Sequence, residues 1–302
     1  MSAENDPAAI ETALSRRTAM RSQPKLQGVA RAMRVLELIA DRPMTASEAA
    51  EALDLPWATC YRTLVQLEKD QYLERAAGGE YRVGRHTWLI GSTYLVGHPL
   101  LDLAMPLLQS ASTELPSAVF QLVERSGDIA LVLYSHEPVA GEPITRATFG
   151  HHIPLHAGSK GWVLLAYESD EVVNSYLEAP LLALTPTTIT DPADLRAELR
   201  RTREQGYALT MADVQTFTGS VAAPVFDASG AVVAAVCAIL LRSRLSNLVT
   251  RQSAIDTVLG VAQSLSLGAG WQPVRVAQQA RSPRTPRRGP GRPPNGSRRN
   301  GS

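Results

Sequence analysis

Thr59, Arg62, Thr63 and Gln66 recur at three- and four-residue intervals between Trp57 and Asp70, a spacing that gathers hydroxyl, guanidinium and amide groups on one side of a helix. Those groups match base edges in a major groove: a guanidinium pairs with guanine O6 and N7, a carboxamide with adenine N6 and N7. Ala58 and Tyr61 share the stretch. Trp57, in its first turn, is either an apolar contact to a thymine methyl or part of interdomain packing, and packing is the preferred reading. Lys25, Arg31, Arg82 and Arg85 lie near the edges of this unit and suit phosphates, which fix register without reading sequence.

Hydrolytic and metal chemistry have a weaker footing. His156 and Ser159 set an imidazole three residues from a hydroxyl, but no Gly-x-Ser-x-Gly elbow surrounds Ser159, so no nucleophile is expected there. His151 and His152 are expected at a turn and, with Asp213, make no metal-ligand pattern. Cys60 and Cys237 are far apart, and neither has a second Cys or a His at ligand spacing. Zinc, a disulfide framework and a cofactor are therefore not expected.

The elements that must position the reading helix can be traced from Gly28. Val29, Ala32, Met33, Leu36, Ile39 and Ala40 have the spacing of one helical face, and Asp41-Arg42-Pro43 ends that helix. Thr45-Ala-Ser-Glu48 matches a capping box, and Ala46, Ala49, Ala50 and Leu53 predict a short second helix. After the turn Asp54-Leu55, Pro56 suits the first position of a third helix whose inner face is Cys60, Leu64 and Leu67. Two strands, 72–75 and 80–83, flank Ala76-Ala77-Gly78-Gly79, whose glycines permit a tight hairpin. Three helices and a hairpin make a winged helix-turn-helix; a tri-helical protein-interaction or dimerisation module is the alternative.

Further along, 85–96 predicts a linker helix ending at Gly97-His98-Pro99, and Leu103, Leu107 and Leu108 begin another helix. Apolar runs 118–123 and 129–134 flank the turn Ser126-Gly127-Asp128. Asp191 at the N-cap, Pro192 after it and Gly206 at the end delimit a helix. Runs 221–225 and 231–240, joined by Asp227-Ala-Ser-Gly230, make a further hairpin.

The chain has 302 residues, enough for about two domains of ordinary size. Its net charge of +1 is unevenly spread. Residues 1–90 are balanced, 91–270 carry 10 basic against 17 acidic side chains, and 271–302 carry 8 basic and no acidic ones. A basic tail on an acidic body points to a polyanion or to intramolecular pairing. The tail is mostly Arg, Pro, Gly, Ser and Asn, too poor in apolar area to fold alone. Within it Arg288 and Arg292 flank Gly289-Pro290-Gly291 and precede Pro293, similar in part to an AT-hook, whose arginines enter a narrow minor groove. No apolar stretch suffices for a membrane span, and no signal-peptide pattern opens the chain, so a cytoplasmic location is expected.

Taken together, GVARAMRVLELIADRPMTASEAAEALDLPWATCYRTLVQLEKDQYLERAAGGEYRVG resembles the head of an IclR-family transcriptional regulator. Pro154-Leu155-His156-Ala157 with Gly161 and Leu164-Leu165-Ala166, then LTPTTITDPADLRAELRRTREQGYALTMADV and VAAPVFDASGAVVAAVCAI, are similar to the family's second half in order and spacing. The resemblance implies an α+β chain: an N-terminal winged helix-turn-helix plus a C-terminal GAF-like α/β effector-binding domain. It further implies a regulator that binds double-stranded DNA as a homodimer or homotetramer under control of a small-molecule effector. By position, the effector would lie against Ala157, Gly158, Ser159, Lys160, Gly161, Thr210, Ser220, Cys237 and Ile239.

Several of these depart from members that hold small keto acids. Thr210 replaces an acid, Ser220 a thiol, and Cys237 and Ile239 replace hydroxyls, while Trp162 stands at a usual lysine and Lys160 precedes it by two. A more apolar site for a larger or aromatic ligand is expected, in which a carboxylate would need Lys160 or the amides of residues 158–161. For Trp162 and Lys160 the alternative is a core position and a solvated one. The expected organisation is an N-terminal arm (1–24), a DNA-binding domain (25–84), a linker helix (85–98), an effector domain (99–270) and a basic tail (271–302). An architectural DNA-binding protein led by the tail, and an enzyme built on the C-terminal domain, are the competing readings.

Overall fold

In the computed structural model, which describes residues 28–137 and 151–272, the N-terminal third is built on a small apolar centre. Helix α1 (Gly28–Asp41) contributes Val35 and Ile39 to it. This corrects the expected stripe: Val29 is 77% exposed, and Met33 and Ala40 also face solvent, so the buried line is turned from the one their spacing suggests. Thr45 closes the predicted capping box with Glu48 at the start of α2 (Ala46–Ala52), which buries Ala49 and Ala50. Helix α3 (Trp57–Lys69) buries Cys60, Leu64 and Leu67 as expected, with Pro56 one place earlier, at the N-cap. The wing is β1 (Leu73–Arg75) paired antiparallel with β2 (Tyr81–Val83), and Gly79 turns between them at φ 87°. After Gly84 comes α4 (Arg85–Leu95), eleven residues at the place of the expected linker helix.

The remainder is one six-stranded antiparallel sheet with helices on both faces. Its strands are β3 (Val119–Ser126), β4 (Ile129–His136), β5 (His152–Pro154), β6 (Ala208–Met211), β7 (Thr218–Phe226) and β8 (Val232–Leu241), in the order β5-β4-β3-β8-β7-β6. His152 thus lies in an edge strand rather than at a turn, because 152–154 pairs with 129–131. Helices α5 (Pro99–Glu114) and α10 (Leu248–Gly268) cover one face of the sheet. On that side they meet Ala234, Val236, Ala238 and Leu240 of β8. Helices α6 (Gly158–Ala166), α7 (Asp170–Leu177) and α8 (Pro192–Gln205) cover the other, meeting Ala235 and Cys237. A short α9 (Arg242–Leu245) leads from β8 towards α10. Helices cover both faces, so the central strands β7 and β8 read as apolar runs instead of an alternation. Asp191 caps α8 through the Ala193 and Asp194 amides, Pro192 is its first residue, and Gly206 ends it at φ 80°, all as predicted. Among the described residues no helix is long and apolar enough to cross a membrane.

Candidate functional site

Because α3 turns Cys60, Leu64 and Leu67 inward, its opposite side faces water. Ala58, Arg62 and Gln66 are exposed there, flanked by half-buried Thr59 and Thr63. Arg62 Nε donates to the Ala58 carbonyl (3.1 Å), Thr63 Oγ1 to the Thr59 carbonyl (3.0 Å) and Gln66 Nε2 to Asp70 Oδ2 (2.8 Å). Trp57 is 53% exposed and stacks on Tyr61 of the same helix, ring centroids 4.9 Å apart. Within this chain the indole thus lies at the leading edge of α3 against its own helix. In the wing, Arg82 is bridged to Glu74 (3.2 Å), an exposed pair of the kind that contributes little to stability. Arg31 is half-buried on α1, while Lys25, Arg288 and Arg292 lie outside the described residues.

The second site sits where the N-terminus of α6 meets the sheet. Ladder register puts Gln121 of β3 opposite Cys237 of β8, Ile239 opposite Ser220 of β7, and Ser220 opposite Thr210 of β6. Ser159 Oγ donates to Ser220 Oγ (2.7 Å), which lies 3.0 Å from Thr210 Oγ1, and Ser159 Oγ is 3.8 Å from Cys237 Sγ. Ser159, Thr210, Ser220, Cys237 and Ile239 are thus brought together on one face of the sheet.

Lys160 decides the chemistry of this group. It is 5% exposed, not solvated, and its Nζ donates to Gln121 Oε1 at 2.8 Å. Burial pulls its pKa below the usual lysine value, since a neutral carbonyl replaces the water that would stabilise an ammonium. Trp162, by contrast, is core, its indole N–H donating to the His156 carbonyl (2.7 Å). Beside Lys160 lies His151, pushed down to about 4 by burial and then by the lysine charge.

Asp213 occupies the start of α6. Its Oδ2 accepts from the Gly158 N–H at 2.5 Å, and burial pushes its pKa up to about 6 against the pull of the Gly158 and Ile189 backbone N–H groups. The turn carrying it is pinned by Thr188 Oγ1 to the Asp213 carbonyl and Thr185 Oγ1 to the Ala212 carbonyl, each 2.7 Å. Of the amides expected to serve a bound carboxylate, Gly158's is therefore already taken.

The glycines of this segment have structural reasons to be glycine. Gly158 adopts φ 73°, and a Cβ on Gly161 would sit 2.6 Å from the Leu155 carbonyl oxygen. Gly161→Ala is expected to destabilise the protein by about 1–3 kcal/mol through that overlap, measured by urea unfolding. His156 does not reach Ser159's hydroxyl as a base: its Nδ1 lies 2.7 Å from Tyr176 Oη and its Nε2 2.8 Å from the Leu182 carbonyl.

Two features escape sequence reasoning. Gln121 is a polar residue inside the run Ala118-Val-Phe-Gln-Leu-Val, and that interruption was its available signal. Glu124, three residues on, receives a hydrogen bond from Tyr94 Oη (2.7 Å) and lies 3.1 Å from His98 Nε2, tying the end of the linker helix and the turn after it to the sheet. No local pattern marks it.

The family model "Bacterial transcriptional regulator IclR C-terminal" matches residues 92–267, and a "Helix-turn-helix domain" model matches 32–71. The DNA-binding transcriptional repressor YiaJ of Escherichia coli (strain K12) is 28% identical over 251 residues, covering 81% of this chain and 88% of its own. A putative IclR transcriptional regulator from Silicibacter sp. TM1040 superposes with a TM-score of 0.73 at 23% identity, covering 82% and 97%, which speaks to the fold. An IclR homologue from Microbacterium hydrocarbonoxydans, crystallised with 4-hydroxybenzoate, is 26% identical with a TM-score of 0.66, covering 80% and 99%. A reading head whose polar helix face is open, joined to a two-faced sheet, is thus matched across most of its length by regulators built the same way. The chain belongs to the IclR family of bacterial transcriptional regulators: a DNA-binding regulator with a C-terminal effector domain, and not an enzyme.

Proposed function

We propose that the effector is an organic acid with an apolar body of aromatic size, its carboxylate held by Lys160 and Gln121 and its body by the face that carries Cys237 and Ile239. The observation that carries this is a buried ammonium whose hydrogen-bond acceptor is neutral. An incoming anion supplies the missing countercharge, and a charge-assisted bond in a dry site is stronger than one in water. Ser159, Ser220 and Thr210 add hydroxyls for a second polar group of the ligand. The homologue crystallised with 4-hydroxybenzoate supports an aromatic acid as the first compound to try. Calorimetry of the full chain is expected to show 4-hydroxybenzoate binding more tightly than pyruvate; the reverse order overturns the assignment.

For DNA, Arg62 and Gln66 read base edges, Ala58, Thr59, Thr63 and Tyr61 line the same approach, and Arg31 and Arg82 meet phosphates. Arg62→Ala is expected to weaken operator binding about 10- to 100-fold and to relax preference at one base pair, read by competition between selected duplexes. Two such heads on a two-fold dimer would read a pseudo-palindrome. Apolar side chains left in water on the linker helix, with Trp88 71% exposed beside Leu89 and Ile90, support contact with a second copy. Trp88→Glu is expected to shift the full chain towards monomer in sedimentation velocity. Effector binding then biases a two-state arrangement of the heads, with Glu124 as the link between sheet and linker helix.

A further inference from the structure

Trp57, at the front of α3, has no role among the contacts assigned above. We infer that Trp57, pre-stacked on Tyr61, recognises the C5-methyl group of a thymine in the operator. This rests on the reading of α3 as the DNA-contacting helix and names what one of its residues recognises.

Exposure of an indole is ordinarily unfavourable, and here it occurs at the first helical residue of α3, where recognition helices approach base edges. The two rings are nearly parallel, 7° apart with centroids 4.9 Å apart. Stacking on Tyr61 removes much of the indole's rotational freedom in advance, so little entropy remains to be lost on contact. An apolar plate has only one apolar complement in the major groove, since among the four bases only thymine presents a methyl there. Tyr61 lies one helical turn beyond Trp57, on a flank of the outward face whose middle holds Ala58 and Arg62. Arg62 stands five positions beyond Trp57, about 7.5 Å along the helix, which corresponds to roughly two base-pair steps. The methyl should therefore lie within a few base pairs of the position that Arg62 reads.

The test uses the full chain and the duplex it selects from a randomised pool. Each thymine of that duplex is replaced in turn by deoxyuridine, which deletes the methyl and nothing else. The expected result is one sensitive thymine per half-site, costing wild type about fourfold in affinity, the worth of one buried carbon group. In Trp57→Ala the same replacement is expected to cost less than about 1.5-fold, with the fold checked by circular dichroism. A wild-type scan without any sensitive thymine overturns the proposal whatever the variant does, and leaves DNA reading by α3 intact. Sensitivity that survives in Trp57→Ala, or dissociation of an oligomer by that substitution, likewise overturns it. Failure of the chain to select any duplex would remove both the proposal and the reading beneath it.

Discussion

Lys160→Met is expected to lower the affinity for 4-hydroxybenzoate by a factor of at least about 30 while leaving the ligand-free protein close to wild-type stability. Removing one partner of a buried, hydrogen-bonded charge pair costs about 2–5 kcal/mol, because the other charge is left in a dry site. The small effect without ligand has two opposed parts. Methionine relieves the cost of burying the ammonium, but it leaves Gln121 Oε1 without the donor it has at 2.8 Å. In operator binding, the variant should no longer respond to the acid, whatever the sign of the wild-type response. Titration calorimetry and a thermal unfolding curve of the same sample check both halves. Unchanged affinity would move the carboxylate away from Lys160, and a collapsed fold would mean that the ammonium holds the α6 segment rather than a ligand.

The second large effect is in pH dependence, where a buried carboxyl and a half-buried imidazole oppose one another. Asp213 has its pKa raised from an ordinary 3.8 to about 6 by burial, so the folded chain holds a proton there that the unfolded chain has lost. Its contribution to stability is complete below about pH 4 and is lost as pH rises through 6. His151 is the reverse: lowered from 6.5 to about 4 by burial, it stays neutral in the folded chain while the unfolded chain takes up a proton. That penalty is present in acid and fades as pH rises from 4 to 6.5. Each shift of about two units corresponds to roughly 3 kcal/mol, so the two slopes largely cancel in the wild type between pH 4 and 6. Asp213→Asn keeps an acceptor for the Gly158 N–H and removes the titration. It is expected to stabilise the protein by up to about 3 kcal/mol at pH 7 and to expose the His151 slope, with stability climbing from pH 4 to 6.5. Urea unfolding at several pH values measures it. A variant curve parallel to the wild type would show that Asp213 does not titrate in this range.

Helix boundaries and caps were readable because their causes are local. The Thr45–Glu48 box, the Asp191 cap with Pro192, and Gly206 each act within a few residues of themselves. The inward face of α3 was also readable, since Cys60, Leu64 and Leu67 repeat at helical spacing with polar residues between. In α1 the same reasoning found half of the stripe: Ala32, Leu36 and Ile39 pack on the core, whereas Val29, Met33 and Ala40 face solvent and Val35 is buried instead. Apolar residues surround that helix, so periodicity alone does not select Val35 over Val29; packing against α3 and the wing does. The order of motifs along the chain carried the family and, through it, the positions of Ser159, Thr210, Ser220 and Cys237.

How these residues come together was decided in three dimensions. Lys160 acquires its character from Gln121, 39 residues away in sequence, which reaches it only because β3 lies beside β8. Asp213 fills the start of α6 from a turn 55 residues later, and Glu124 meets Tyr94 across 30. Local composition determined which segments become helix or strand, because backbone conformation, capping and side-chain periodicity act over a few residues. Charge state and chemical role came from the sheet, because desolvation and hydrogen bonding depend on whatever neighbours the fold brings within about 3 Å.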